Sequence, residues 1–386
     1  MIISHLTLKN WRNFREVDVQ FSDRVFLVGP NASGKSNLLD VFRFLRDITN
    51  PGGLENAVRT RGGISKIRCL AARENPDVEI EIHLSNSLDE KPLWVYGIGI
   101  YQEQRGFRRT LIRYEKVLKG DDIILDRPDN NDKKDDWRLT QTSLEQINAN
   151  EKFRDIARFL ESILYLHLIP QLLRHPGDFP PSAKSLEDPF GRSFLERLAK
   201  TPEKTRTSRL KKIEKVLSIA VPQLKQLAFL SDDEEGGIPH LEAIYEHWRP
   251  KAGKQREDQF SDGTLRLIGL LWSLLEGESL LLLEEPELSL HAAIVKQIPP
   301  LMHTILTKSK KRRQVMISTH SADLLSDRSI GAEEVVLLLP EHEGTTVQLV
   351  SSVQDIRSLL ENGFSVAEAV MPKTKPKNID QLSLSL

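Results

Sequence analysis

The chain is poor in cysteine, in net charge and in long apolar runs. A single cysteine, Cys69, stands among 386 residues. No disulfide framework can form, and a reducing cytosol is the natural setting. The formal net charge of −1 gives no global field towards DNA or a membrane. Any nucleic-acid contact must therefore come from a local patch. No apolar run reaches the roughly 18 residues of a bilayer span, so no membrane association is expected. The opening MIISHLTLKN lacks the apolar stretch of a signal peptide and reads as a strand. Sustained heptads and internal repeats are missing too, which argues against a long coiled coil or a solenoid.

What is present is an ordinary globular composition, 39% hydrophobic and 28% charged. Residues 2–8 and 17–21 alternate apolar and polar, as half-buried strands do. The more apolar stretch 24–28 runs into GPNASGKSN and then a helical pattern from Asn37 to Ile48. Residues 78–84 and 93–101 alternate again and predict antiparallel strands with a Glu/His face towards water. The polar stretch 119–137, with DNNDKKDD, reads as an exposed loop. Leu144, Ile147, Ile156, Phe159, Leu160, Ile163 and Leu164 make a helical stripe over 143–166. Residues 174–193 are proline-rich loop, and 194–220 are helical and basic, interrupted at Thr201-Pro202. Beyond Gln259 come a loop, an apolar helix from Thr264 to Leu275, the strand SLLLLEEP, a helix near 291–306, a basic turn at 308–313 and the strand QVMISTH. The tail beyond Met371 is polar and expected to be loose.

Gly29-Pro-Asn-Ala-Ser-Gly34-Lys35-Ser36 fits GxxxxGK[ST]. Glycines let the backbone curl so that its N–H groups face phosphate oxygens, and the following helix adds its positive end. A chance glycine turn is the bland alternative, but an apolar strand precedes the motif and a helix follows it. The candidate nucleotide contacts are Gly29, Asn31, Gly34, Lys35, Ser36 and Asn37. Lys35 reaches the β- and γ-phosphates, and Ser36 holds Mg²⁺. Downstream, Leu280–Leu283 lead to Glu284 and Glu285. Adjacent side chains on a strand point opposite ways, so one carboxylate can serve the metal's water shell and the other the attacking water. Glu284 is assigned to Mg²⁺, which demands hard oxygen ligands, and Glu285 to the lytic water. Taken alone, the pattern also fits a buried strand with a solvated acidic end.

These pieces together resemble the ABC-type ATPase heads of the SMC, RecF and OLD-like group, over roughly residues 1–50 and 255–340. Phe260-Ser261-Asp262-Gly263-Thr264-Leu265-Arg266 resembles the signature loop, 23 residues before Glu284. The resemblance implies that Ser261 and Gly263 contact the γ-phosphate held by a second subunit, although a Ser/Asp helix cap would look the same. Leu288-Ser289-Leu290-His291 resembles the D-loop. Ile317-Ser318-Thr319-His320 resembles the switch strand, with His320 sensing the γ-phosphate. Asn10 to Phe14 resembles the family's opening motif, which implies Arg12 and Asn13 near the nucleotide. Two departures stand out: a glutamate, Glu284, occupies the usual Walker B aspartate position, and residues 50–100 offer no Q-loop glutamine. A Toprim nuclease domain does not fit after the switch histidine, which disfavours a two-part OLD-like nuclease in one chain.

The resemblance implies an α/β P-loop core of ABC type, a mixed sheet with an antiparallel lobe, and a mainly helical insertion. The expected divisions are 1–100 and 251–355 for the two core halves, 101–250 for the insertion, and 356–386 for the tail. The implied activity is ATP hydrolysis with Mg²⁺ in a nucleotide-bridged homodimer, and a higher assembly is left open. Short heads with a helical insertion and an EEPELSLH strand end look most like cytoplasmic ATPases of two-gene antiphage defence modules, which work with a separate, nuclease-like effector. A second hypothesis is a RecF-like DNA-repair ATPase. It draws on residues 197–215, where eight basic residues face two acidic ones, and on Arg105, Arg108, Arg109 and Arg113. A solvated helix face is the bland reading of the first cluster. A third hypothesis is a nucleotide-gated scaffold with little turnover, against which Glu285 and His320 argue.

Overall fold

The structure, a computed structural model, describes residues 1–72, 77–88, 90–175, 188, 190–232, 238–249, 253–308 and 313–375. The chain forms two compact units. Met1–Leu164, Ser279–Leu282 and Lys311–Leu386 make the first, and Tyr165–Glu278 with Leu283–Lys310 the second. Most of the proline-rich loop, four residues of the basic turn and the tail from 376 lie outside the described residues.

The first unit opens with the antiparallel pair β1 (Ile2–Trp11) and β2 (Phe14–Gln20). Next come β3 (Arg24–Val28), α1 (Lys35–Asp47), α2 (Gly53–Thr60) and α3 (Ile64–Ile67). Four more strands follow, β4 (Val78–Ser85), β5 (Trp94–Gln102), β6 (Thr110–Lys119) and β7 (Asp122–Arg127), before α4 (Asn130–Lys134) and α5 (Arg154–Glu161). Leu164 starts β8 (Leu164–Leu166), where the chain leaves this unit.

The second unit contains α6 (Pro170–Arg174), α7 (Phe194–Lys200), α8 (Glu203–Ala220), β9 (Leu224–Asp232), β10 (Ile238–Tyr245), β11 (Lys254–Arg256) and α9 (Asp262–Leu275). Within β12 (Leu281–Glu284) the chain passes from the first unit to the second, which continues through α10 (Ala292–Val295) and α11 (Ile298–Lys308). It returns to the first unit for β13 (Val315–Thr319), α12 (Ala322–Leu325), β14 (Val335–Glu341), β15 (Gly344–Leu349), α13 (Gln354–Glu361) and α14 (Val366–Val370).

Two sheets build the first unit. One is antiparallel throughout, in the order β2-β1-β4-β5-β6-β7. In β4, Val78, Ile80, Ile82 and Leu84 face inward while Glu79, Glu81 and His83 face out, the period-2 pattern of a half-buried strand. The other sheet runs β15-β14-β3-β13 and continues into the first residues of β12 and β8. Its central strands β14, β3 and β13 are parallel, and all five residues of β3 and of β13 are buried, as a sheet covered on both faces requires. On α1, Leu38, Leu39, Val41, Phe42, Phe44 and Leu45 are buried. Phe44 meets Trp11 edge-on at 5.2 Å and Phe42 meets Phe21 at 5.9 Å. The second unit has its own three-stranded sheet, β11-β10-β9. Its basic helix α8 buries only Leu210, Ile213 and Leu217.

Several expectations change. Residues 119–137 are not a loop: β6 and β7 form a hairpin across Gly120, whose φ of +58° suits a tight turn. The acidic run there is not all solvated either. Asp132 is buried because Arg127, itself 6% exposed, needs its carboxylate at 2.9 Å and that of Glu115 at 3.0 Å. The stripe over 143–166 is one short helix, α5, followed by strand residues, and Ile147 is 73% exposed. Residues 101–250 are helical in α4 to α8 but also supply β6 to β10. The interruption expected at Thr201-Pro202 separates α7 from α8.

Candidate nucleotide site

In the first unit, β3 delivers the chain to Gly29 and α1 begins at Lys35. The loop between them closes on itself so tightly that side chains are excluded at both glycines. A Cβ on Gly29 would lie 2.4 Å from the Leu338 carbonyl oxygen, and one on Gly34 would lie 2.2 Å from Asn13 Nδ2. Gly34 also sits at φ +96°, a left-handed backbone that L side chains avoid. Lys35, 6% exposed, donates from Nζ to the Gly29 and Pro30 carbonyls at 3.0 Å each. Ser33 Oγ is fully buried with no hydrogen-bond partner among the described residues. Asn31 and Ser36 are exposed and Asn37 is half-buried.

Arg12 and Asn13 act on this loop from behind. Asn13 donates to the Ser33 carbonyl at 2.9 Å and to Thr345 Oγ1 at 2.8 Å, and accepts from Asn37 Nδ2 at 2.7 Å. Arg12 is committed to Asp40 on α1, at 2.6 Å, and Arg61 grips the same carboxylate at 2.9 Å. Burial pushes the Asp40 carboxyl up, and the guanidiniums of Arg61, Arg12 and Arg43 more than offset it, leaving the group below its ordinary value. The opening motif thus braces the cradle through α1. Asp40 and Arg61 were not picked out from the sequence, where nothing distinguishes them from surface charges.

His320 belongs to the same unit. Thr319 pairs with Val28 in the parallel register of β13 and β3, so His320 and Gly29 leave the sheet at the same end. His320 is half-buried, and the turn after it is fixed by Ser321, which donates its N–H to Thr319 Oγ1 at 2.9 Å and caps α12.

The second unit gathers the signature loop, the acidic strand end and the D-loop. Ser261 is the N-cap of α9: its hydroxyl accepts from Thr264 N–H at 3.2 Å. Gly263 has no room for a side chain, since a Cβ would stand 2.9 Å from the Ser289 carbonyl oxygen. The signature loop therefore lies directly on the D-loop. Asp262 is bracketed by α6, with Arg174 at 2.7 Å and Gln171 at 3.2 Å, and Arg174 also donates to the Phe260 carbonyl at 2.7 Å. His291 ends the D-loop by capping α10 through Nδ1 at 3.1 Å.

Glu284 is the last residue of β12 and Glu285 the first beyond it, at φ +43°. Glu285 therefore lies in a turn with a positive φ, outside the strand, and simple strand alternation does not set the relation of the two carboxylates. Ser289 adds a second positive φ, +62°. Each such non-glycine residue costs about 1–3 kcal/mol and persists only where its surroundings fix it, as at functional sites. Tyr165 of β8 donates its phenol to Glu284 Oε2. Arg266 on α9 is 8% exposed, and its Nε has no hydrogen-bond partner among the described residues. Burial pulls its guanidinium below the ordinary value, against the opposing charges of Asp262, Glu287 and Glu285. Tyr165, Gln171, Arg174 and Arg266 were missed from sequence as site residues; only Arg266 lay inside a recognised motif.

The cradle fits a polyphosphate. Its glycines let the loop curl where no Cβ would fit, a buried hydroxyl has no hydrogen-bond partner among the described residues, and a lysine lies folded onto the loop's own carbonyls. Within the same unit Ser36 offers an exposed hydroxyl, a hard oxygen of the kind Mg²⁺ requires.

Residues 24–327 match the family described as "AAA domain, putative AbiEii toxin, Type IV TA system". Among curated proteins, the DNA replication and repair protein RecF of Bacillus cytotoxicus is 28% identical over 107 residues, 25% of this chain and 29% of that protein. RecF of Lactobacillus gasseri is 32% identical over 97 residues, 25% of this chain and 26% of that one. The matched stretch thus spans less than a third of either relative. Among solved structures, the Smc head bound to the C-winged helix domain of ScpA superposes with a TM-score of 0.54 at 15% identity, covering 90% of this chain and 98% of that one. The Smc head with a coiled coil and joint from Pyrococcus yayanosii gives 0.50 at 15% identity, covering 93% and 99%. Identity this low speaks for the fold alone, which is that of a P-loop SMC head.

Proposed function

Because the chain belongs to that AAA-domain family, as an ABC-type ATPase of the SMC and RecF group, we propose that it binds ATP with Mg²⁺ and hydrolyses it in a nucleotide-bridged homodimer. One observation carries the reading: the closed cradle from Gly29 to Ser36, with Lys35 buried at its centre. In this reading Lys35 releases its loop carbonyls to take the β- and γ-phosphates. Backbone N–H groups from Asn31 to Asn37 hold the phosphate oxygens. Ser36 and Glu284 hold the metal and its waters, Glu285 orients or deprotonates the lytic water, and His320 senses the γ-phosphate. Mg²⁺ would neutralise charge on the transferred phosphoryl group. Ser261 and Gly263 face the ATP of the second copy, and the α9 N-terminus favours its negative charge. The test is nucleotide binding by Lys35→Ala. Loss of ATP binding with the fold intact is expected, and tight binding would refute the assignment.

The cellular role in this reading is the sensor or motor subunit of a bacterial antiphage module in the cytoplasm, working with a separate effector. The family description, which names a toxin–antitoxin component, supports a two-protein arrangement. No described helix is long and apolar enough to cross a membrane. The second reading, a RecF-like ATPase gripping DNA, is favoured by α7 and α8, where Lys200, Lys204, Lys211, Lys212 and Lys215 remain exposed. The arginines of that cluster are otherwise engaged. Arg197 pairs with Glu276, Arg206 stacks over Phe229 at 4.3 Å, and Arg209 lies over Trp272 at 5.2 Å. Phosphate release with and without duplex DNA separates the two readings. Stimulation that fades steeply with salt supports DNA binding, and indifference to DNA supports the defence reading.

A further inference from the structure

Glu284 stands where the resembling group usually carries an aspartate, and the structure shows what accompanies the longer side chain. The phenol of Tyr165, a residue only 7% exposed, donates to Glu284 Oε2. Beside the carboxylate lies a cavity of about 10 Å³, lined by Leu166, Leu168, Arg266, Leu270, Leu283, Glu284 and Pro286. That is at most the room of one water molecule. A glutamate has one more rotatable bond than an aspartate, so its carboxylate samples more positions unless something holds it. Here the walls are mostly apolar and a hydroxyl supplies the holding bond. An aspartate at 284 would be shorter by one C–C bond, about 1.5 Å, and would draw away from the phenol.

We infer that Tyr165 is a positioning residue for the metal-shell carboxylate: its phenol holds Glu284 through Oε2. Glutamate at 284 and tyrosine at 165 then form a matched pair, in which the phenol compensates for the extra methylene. Outer-shell partners of this kind commonly cost about 10–100-fold in metal affinity when removed. The inference rests on the reading of Glu284 as the carboxylate of the metal shell.

The test is a binding experiment on the full chain. The affinity of a fluorescent, non-hydrolysable ATP analogue is measured in EDTA and across a Mg²⁺ titration. Four chains are compared with the wild type: Tyr165→Phe, Glu284→Gln, Glu284→Asp, and Tyr165→Phe with Glu284→Asp. Tyr165→Phe keeps the ring and so the packing. Its affinity in EDTA should match the wild type, while the Mg²⁺ needed for half-maximal binding should rise about tenfold. In the Glu284→Asp background, Tyr165→Phe should add nothing, because the bond is already lost. An unchanged Mg²⁺ requirement in Tyr165→Phe, with a raised one in Glu284→Gln, overturns the positioning role and leaves the Glu284 reading standing. An equal loss of affinity with and without Mg²⁺ points to plain packing and overturns it as well. A normal Mg²⁺ requirement in Glu284→Gln removes the underlying assignment, and the positioning role falls with it.

Discussion

The two units hold their candidate site residues by different means. In the first, geometry is written in the backbone. Gly29 and Gly34 are glycines because a Cβ would collide at 2.4 Å and 2.2 Å, and Lys35 is tied to carbonyls five and six residues before it. In the second, side chains from remote sequence do the holding. Arg174 and Gln171 reach Asp262 across some ninety residues, and Tyr165 reaches Glu284 across 119. Spaced glycines and a lysine leave a motif in the sequence even where what they pack against, such as the Leu338 carbonyl, is remote, and the second kind of holding leaves none. A single substitution should accordingly do more harm in the cradle than among the brackets.

The largest effect is expected at Gly34. In Gly34→Ala a Cβ must displace Asn13 at a φ of +96°, which reshapes the cradle itself. ATP binding should be lost as completely as in Lys35→Ala, and isothermal titration would show it. Retained micromolar binding would mean that the cradle is softer than its contacts indicate.

Next in size is Glu285→Gln. Binding should survive, since the phosphate contacts lie elsewhere, while steady-state phosphate release should fall on the order of 10²-fold or more. Turnover near that of the wild type would move the base role to another residue, with Glu284 the next to examine.

The smallest effect is expected at the bracket. Arg174→Ala removes hydrogen bonds to Asp262 and to the Phe260 carbonyl. The ion pair is partly exposed, 19% and 40% for its two side chains, so its screened contribution is about 1 kcal/mol. Turnover should drop by no more than about tenfold, and nucleotide affinity in the open state should not change. A loss as complete as in Gly34→Ala would erase the contrast between the units.

The same contrast explains what could be read from the sequence. Buried strands such as β3 and β13 announce themselves by apolar runs, and the cradle between β3 and α1 by its spaced glycines. The β6–β7 hairpin did not, because β7 is DIILDR and its acidic flanks look like loop; Asp132 is buried only because Arg127 needs a counter-charge. Strand alternation was expected to run through Glu284 and Glu285, yet the strand stops at Glu284 and Glu285 sits in a turn at φ +43°. Backbone strain of that sort has no side-chain signature when the residue is not a glycine. Arg12 and Asn13 were expected beside the nucleotide, and their resolved partners are Asp40 and the P-loop. Sequence resemblance pointed to these two residues without showing what they touch.

In the proposed homodimer each ATP is completed by two copies of the chain, the P-loop of one and the signature loop of the other. Mixing a Lys35→Ala chain with a Gly263→Arg chain tests it most directly. The arginine cannot fit, because even a Cβ at 263 would lie 2.9 Å from the Ser289 carbonyl oxygen, so each variant alone should be inactive. A mixed dimer unites both lesions in one composite site and leaves the other site whole. Phosphate release should therefore reappear on mixing, approaching half the wild-type rate per dimer if the sites act independently. Two inactive variants that stay inactive together, in dimers proven to be mixed, would contradict the account.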